Sequence, residues 1–434
     1  MTDRSKIKTL GQLKRSGYGV VSVREEIRRN LISKMRNKEE LFPGIVGFED
    51  TVVPQVENAV LSGQDIIFLG ERGQAKSRLI RALVNLLDDA LPVVQGCEIN
   101  DNPFDPICRS CHDRLENDGD SLPVTWIGRD ERYAEKLATP DISIADLIGE
   151  IDPIRVAEGR YLSDELTIHY GLIPRVNRGI FSINELPDLA ERIQVGLFNL
   201  IEERDIQIKG HRVRLPLDLL IVASANPEDY TNRGRIITPL KDRYGAQIRT
   251  HYPQNTDQEI SIMEAERNRF QDTEKLIVVS QYMREIVAEF TALARRSPDI
   301  NQRSGVSVRV SIANYESVIS NALRRSIRCK EKAVVPRVSD LSSILASTSG
   351  KVELESIEEG QEERIIGDLT KKAILNVFSR HLGDHNFDSL VQKFEEGLVV
   401  EIGNEVPSKE YAKLLPKLGD ISGTFKTLGV SSEP

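Results

Sequence analysis

Lys76 and Ser77 lie in the stretch "FLGERGQAKSRLI", residues 68–80, where Gly70 and Gly73 precede a lysine and a hydroxyl side by side. Glycines let a backbone bend until successive N–H groups point at one anion. A lysine adds positive charge, and a following hydroxyl can ligate Mg2+. The chemistry implied is binding of a nucleotide's phosphates. The usual pattern, G-x-x-x-x-G-K-[ST], has glycine immediately before the lysine; here that residue is Ala75. A negative φ at Ala75 would cost little, because alanine favours helix, and this geometry is expected. A positive φ would cost about 1 kcal/mol or more. Taken alone, the stretch could also be a glycine-rich turn before a helix.

Three further stretches belong to the same chemistry. "GIFSINEL" ends an apolar run with Asn184 and Glu185. A glutamate there can polarise the water that attacks a γ-phosphate. Aspartate is the usual companion that contacts Mg2+ or its water. Asn184 can still accept a hydrogen bond from a metal-bound water but brings no charge. "ASANPEDY" places Asn226 after another apolar run, where it can orient that water, although Asn-Pro is also a common turn signal. "TPLKDRYG" offers Arg243, and arginine suits a γ-phosphate presented by a neighbouring subunit. Each residue has an ordinary structural explanation; their joint order, each beside an expected strand, favours a common site.

Such residues need strands that end together. "QDIIFLG", "GIFSINE" (179–185) and "LLIVASANP" (219–227) read as buried parallel strands, apolar because both faces are covered. "KSRLIRALVNLL" and "LAERIQVGLFNLIEERD" carry apolar residues at helical spacing. "DIQIKGHRVRL" alternates like a hairpin with Lys209 and Gly210 near its turn. The fold class is α/β: a phosphate-loop parallel-sheet core with helices on both faces, then an all-α lid and a helical C-terminal extension. The expected divisions are a helical lead-in at 1–40, a nucleotide-binding domain at 41–254, a helical lid at 255–350, and an acidic linker with helical extension at 351–434. The mixed-charge stretch "REEIRRNLISKMRNK" reads as a solvated helix face.

The 434 residues carry a formal net charge of −9 and are 39% hydrophobic, which fits a globular protein with a sizeable core. The acidic balance, without an aromatic-plus-basic stripe, weighs against nucleic acid as partner. No apolar run approaches the ~18 residues of a membrane span, and the basic N-terminus is not followed by a secretory apolar region. A cytoplasmic location is the default expectation.

With these motifs assembled, the chain resembles the AAA+ ATPases of the MoxR and magnesium-chelatase small-subunit group over roughly residues 41–325, about two thirds of its length. The carriers are "FPGIVGFED" (base motif), "GERGQAKS" (Walker A), "GIFSINE" (Walker B), "ASANPED" (sensor 1) and "LKDRYG" (arginine finger). The stretch "IGEIDPIRVAEGRYLSDELTIHYGLIPRVNRGIF" is similar to the chelatase subunit's helix-2 insert. The resemblance implies ATP and Mg2+ as ligands, with Ile45, Val46 and Gly47 near the adenine and Lys76 and Ser77 on phosphates and Mg2+. It makes Glu185 the catalytic glutamate, Asn226 sensor 1, Arg243 a residue acting in trans, and Arg309 a sensor-2 arginine. It further implies a homo-oligomeric, hexameric ring and a client protein or a partner carrying a von Willebrand A domain. Ala75 and Asn184 depart from the pattern. The competing reading is a nucleotide-gated binding module with little hydrolysis. A transcription-machinery motor has less support, because the loop G-A-F-T-G-A is absent from the sequence.

"GCEINDNPFDPICRSCHDRL" holds Cys97, Cys108 and Cys111. C-x-x-C is half of a zinc site and Cys97 could return as a third thiolate, with His112 or something remote as fourth ligand; reduced thiols in a loop are the alternative. "HLGDH" lacks the glutamate of a zinc-protease motif and reads as a polar helix end.

Overall fold

The computed structural model describes residues 7–152, 154, 157, 165–203, 205–207, 214–226, 235–302, 304–355, 360–403, 405–418, 424 and 427–428. The described strands, in chain order, are β1 (Ile66–Leu69), β2 (Ala90–Val94), β3 (Val124–Gly128), β4 (Tyr133–Leu137), β5 (Gly149–Ile151), β6 (Ile168–Tyr170), β7 (Gly179–Asn184), β8 (Asp205–Gln207), β9 (Arg214–Pro216), β10 (Leu219–Ala225) and β11 (Ala246–Arg249). Five of them form one sheet in the order β11–β1–β10–β7–β4, and every pairing in it is parallel. The pairs β2–β3, β5–β6 and β8–β9 are antiparallel. The last of these is the hairpin expected from alternation; its turn residues, Lys209 and Gly210, lie outside the described residues.

Alternate residues of a strand face opposite sides of the sheet. Ile67 and Leu69 of β1, with Phe181, Ile183 and Ile221, enter one core, closed by Ile193, Leu197 and Leu200 of the helix Glu191–Glu203. Ile66 and Phe68, with Ile180, Leu220 and Val222, enter the other. That second core is closed by Leu79 and Ile80 of the helix Lys76–Ala82, by Val56 and Val60 of the helix Val52–Leu61, and by Ile27 and Leu31. Covering both faces is why β1, β7 and β10 read as mainly apolar runs.

Ile27 and Leu31 belong to the helix Val23–Asn37, which starts with a Ser22–Glu25 capping box. This is the mixed-charge stretch, and its expected solvated face is only half the story. Glu26 is buried and receives both terminal nitrogens of Arg132, at 2.7 and 2.6 Å. Arg132 is itself fully buried, and its Nε donates to the Arg178 carbonyl at 2.9 Å. The Asp88 N–H also donates to Glu26 Oε1, at 2.6 Å. The pair therefore ties the N-terminal helix to the chain just before β4 and just before β7.

By contact density the chain divides into two compact units, Met1–Gly70 with Ala75–Thr250, and Glu71–Gln74 with His251–Pro434. The second unit is helical. Helices Thr256–Glu266, Gln281–Ala294, Val308–Cys329 and Gln361–Leu382 share a core that includes Met263, Phe290, Tyr315 and Ile366. "HLGDH" closes the last of these helices, where His381 Nε2 meets Glu285 Oε2 at 2.7 Å. Among the described residues no helix is long and apolar enough to cross a membrane.

Removing one partner of a buried ion pair strands the other charge in a low dielectric. Glu26→Ala is expected to lower unfolding free energy by about 3 kcal/mol or more, read by urea denaturation. A loss within experimental error would show that the Arg132 pair does not hold the N-terminal helix.

Candidate functional site

β1 stops at Leu69, and the Gly70 N–H continues its ladder to the Ala225 carbonyl at 3.1 Å. The loop then turns into the helix Lys76–Ala82. Lys76 is buried, and its Nζ donates to the Gly70 carbonyl at 2.5 Å, drawing the ammonium across the base of the loop. Gly73 has φ +76°, and a Cβ there would lie 1.9 Å from Ser307 Oγ, so both backbone and space demand glycine.

Ala75 corrects the sequence expectation. Its φ is 52° and ψ 16°, left-handed rather than helical. The carbonyl of Ala75 accepts the N–H groups of Arg78 and Leu79, each at 3.0 Å, so the residue caps the helix and does not sit within its first turn. The left-handed methyl costs roughly 1–2 kcal/mol. Ala75 also packs against the core on that side of the sheet, which recovers part of the cost.

β7 ends at Asn184, and Glu185 follows with φ 55° and ψ 49°. One hydroxyl organises the pair: Ser224 Oγ accepts the Glu185 N–H at 3.3 Å and donates to Asn184 Oδ1 at 3.1 Å. Asn184 Nδ2 donates to the carboxylate of Glu135 on β4. Glu135 also takes Arg81 Nε at 2.7 Å and the Tyr133 hydroxyl at 3.0 Å. Burial alone would raise the Glu135 carboxyl, but the bonds from Arg81 and Tyr133 outweigh it and hold the group below its ordinary value. Arg81 stands one turn beyond Ser77. A continuous polar network thus runs from the helix after the loop, through Glu135 and Asn184, to Ser224 on β10.

Asn226, buried, follows β10 directly. Parallel register pairs Leu69 with Ala225 and Ala223 with Ile183. The residues just past those strands, Gly70, Asn226, Asn184 and Glu185, therefore emerge at one edge of the sheet. Carboxyl ends of adjacent parallel strands are where open α/β sheets bind ligands. Ile45 is buried in the loop-side core, Val46 is half-buried, and Gly47 has φ +86°. A Cβ on neighbouring Gly44 would lie 3.2 Å from Arg78 Nη2, which puts this segment beside the helix Lys76–Ala82.

Arg243 and Arg309 are carried on helices outside the sheet. Arg243 ends the helix Thr238–Arg243, with its guanidinium 5.3 Å from the Phe198 ring centre and 3.1 Å from Asp242. Arg309 is exposed on the first turn of Val308–Cys329, where its N–H meets Ser307 Oγ at 3.1 Å. Glu135 and Ser224 were missed by sequence reading. "YAEKL" has no apolar run to mark a strand, and Ser224 is hidden inside an apolar one.

The chain is similar to magnesium-chelatase subunit ChlI of Mesostigma viride, 24% identical over 298 residues that cover 65% of this chain and 77% of that protein. It is 24% identical to ChlI of a Nostoc strain over 341 residues, 74% of this chain and 86% of the relative. Among solved structures, the BchI–BchD complex of magnesium chelatase aligns over 75% of this chain and 98% of that one, with 19% identity and a TM-score of 0.38. Closed-state Hsp104 with ATPγS and casein covers 79% of this chain and 54% of that one, with 11% identity and a TM-score of 0.44. No family model matches the chain.

Two substitutions probe the departures. Ala75→Gly is expected to raise thermal stability, since relief of a left-handed Cβ, about 1 kcal/mol, exceeds one lost methyl contact. A lower melting temperature would show that packing of the methyl dominates. Asn184→Asp would set two carboxylates against each other, Glu135 and the new one, and raise the pKa of one. The native state then holds more protons than the unfolded chain, so the variant should lose stability relative to wild type as pH rises above about 4. Parallel stability profiles between pH 4 and 8 would refute this.

Proposed function

We propose that this chain, an AAA+ ATPase of the magnesium-chelatase small-subunit group, couples Mg2+-dependent ATP hydrolysis in a homo-oligomeric ring to remodelling of a partner protein or to partner-assisted metal insertion. One observation carries the reading: Lys76, Glu185 and Asn226 come after the adjacent strands β1, β7 and β10 at one edge of the sheet. In this reading the first unit binds nucleotide and the second serves as its helical lid and extension.

Backbone N–H groups of the loop and Lys76 hold the β- and γ-phosphates. Ser77 and Asn184 offer hard oxygen donors, a set that fits Mg2+, with Asn184 acting through the oxygen lone pair that Ser224 leaves free. Bound Mg2+ supplies neutralisation of phosphate charge. Glu185 takes a proton from the attacking water, and Asn226 orients that water. Ile45, Val46 and Gly47 flank the base. Arg243 reaches the γ-phosphate of an adjacent subunit, and Arg309 serves as the sensor-2 arginine. The client is a protein, a partner with a von Willebrand A domain being the kind this group pairs with.

A second reading, a nucleotide-gated module with little turnover, is favoured by Asn184. Its amide is spent on Glu135 and its oxygen already accepts from Ser224, and it contributes no charge to a metal.

Steady-state hydrolysis separates the two. Wild type is expected to turn over ATP only with Mg2+, and Glu185→Gln to lower turnover by about 10²-fold or more while still binding ATP. Retained binding with no wild-type turnover, at concentrations that allow assembly, would replace the motor with the switch.

A further inference from the structure

Cys97, Cys108 and Cys111, for which the sequence offered His112 or something remote as fourth ligand, converge in the excursion between β2 and β3. Gly96, with φ +76°, and Asn100, with φ +56°, curl the chain after β2 into a tight turn around Cys97. The N–H groups of Ile99 and Asp101 both point at Cys97 Sγ, at 3.4 Å each. Two backbone donors aimed at one sulfur stabilise a thiolate. Cys108 caps the ten-residue helix Arg109–Asp118, and Cys111 stands in its first turn, so both sulfurs meet the positive end of a helix dipole.

Asp101 completes the group. It is fully buried, 0% exposed, and its carboxylate accepts the Ile107 N–H at 3.1 Å and the Cys108 N–H at 3.0 Å. Among the described residues no lysine, arginine or histidine pairs with it. A buried carboxylate among thiols calls for a cation. The Sγ atoms of Cys97, Cys108 and Cys111 and a carboxylate oxygen of Asp101 all lie within 4.8 Å of one another. Four tetrahedral ligands about 2.0–2.3 Å from a central ion stand about 3.3–3.8 Å apart, so the group lies within about 1 Å of the required spacing. His112, the fourth ligand considered from sequence, is exposed instead and its Nδ1 lies 3.5 Å from Glu116.

We propose that Cys97, Cys108, Cys111 and Asp101 bind one Zn2+ in a tetrahedral structural site that pins the excursion between β2 and β3. Thiolates select zinc over the hard cations that suit the nucleotide site, and a closed set of four protein ligands marks a structural ion rather than a catalytic one. The site has the supports such a centre needs: N–H donors orient Cys97, two more orient Asp101, and a cavity of about 440 Å3 beside the thiols, which Glu165 and Tyr170 also line, gives an entry path. The excursion is anchored on one side, where Val94, Ile99, Leu122 and Val124 join the main core with Cys108 and Cys111, while Leu91, Val93 and Ile127 form only a small separate cluster.

The test uses the full-length, tag-free protein expressed with added zinc. Elemental analysis should find one zinc per chain, and removal by chelator should lower the melting temperature. Titration of the metal-free protein with Co2+ should give the near-ultraviolet thiolate charge-transfer band of three sulfurs together with strong visible bands of tetrahedral cobalt. Cys111→Ser should weaken that charge-transfer band. Asp101→Asn, which keeps all three thiols, should keep the band but reduce zinc affinity at least 10-fold in competition with a chromophoric chelator. Zinc below a tenth of an equivalent with no cobalt charge transfer would overturn the site, as would mass spectrometry showing a disulfide among the three cysteines in the protein as purified. Unchanged zinc affinity in Asp101→Asn would remove Asp101 from the set. None of these readouts depends on ATP.

Discussion

Strand β10 pairs in parallel with β1 on one side and β7 on the other, and every candidate residue at the strand ends inherits its position from that pairing. Parallel strands all point the same way, so their carboxyl ends open on one edge of the sheet. A slip of one residue in β10 would turn its core residues to the wrong faces and carry Asn226 away from Gly70 and Asn184. Two full cores, one on each face, make such a slip expensive. Asp65 reinforces the register from the other end of β1, accepting the Ile221 N–H at 2.9 Å while pairing with Arg24 at 2.7 Å.

The same neighbours explain how asparagine stands at the end of β7. An aspartate there would face the Glu135 carboxylate directly, whereas an amide donates to it. Glu135 is in turn neutralised by Arg81, which rides on the helix after the glycine-lysine loop. The negative charge in this network therefore sits on β4, one strand outward from Asn184, where Arg81 pairs with it. What remains at position 184 is an oriented carbonyl oxygen, fixed by Ser224. Ala75 is a milder departure: a strained cap whose methyl contributes packing.

Much of the fold was legible because burial on two faces leaves its mark on sequence. "IIFL" is wholly apolar, "GIFSIN" and "LLIVASA" are broken only by Ser182, Asn184 and Ser224, and the glycine-lysine loop marks where the first of them ends and a helix begins. β4 was not legible. It lies at the edge of the sheet and its polar residues show no pattern, yet it supplies Glu135. The helix Val23–Asn37 was read only by its charges, since four buried positions in fifteen residues make a faint stripe. Asp101 was overlooked for a different reason. C-x-x-C spacing points only to cysteine and histidine ligands, and only the folded turn brings a carboxylate four residues past Cys97 back beside its sulfur. The φ of Ala75 depends on how the loop curls, which no residue pattern states.

Calorimetric titration of ATP into wild type and Lys76→Ala, at fixed Mg2+, tests most directly whether these strand ends form a nucleotide site. Saturable binding to wild type, weakened at least tenfold in the variant, about 1.4 kcal/mol, is the predicted result. No binding to wild type at millimolar ATP, or equal binding to both proteins, would contradict the account.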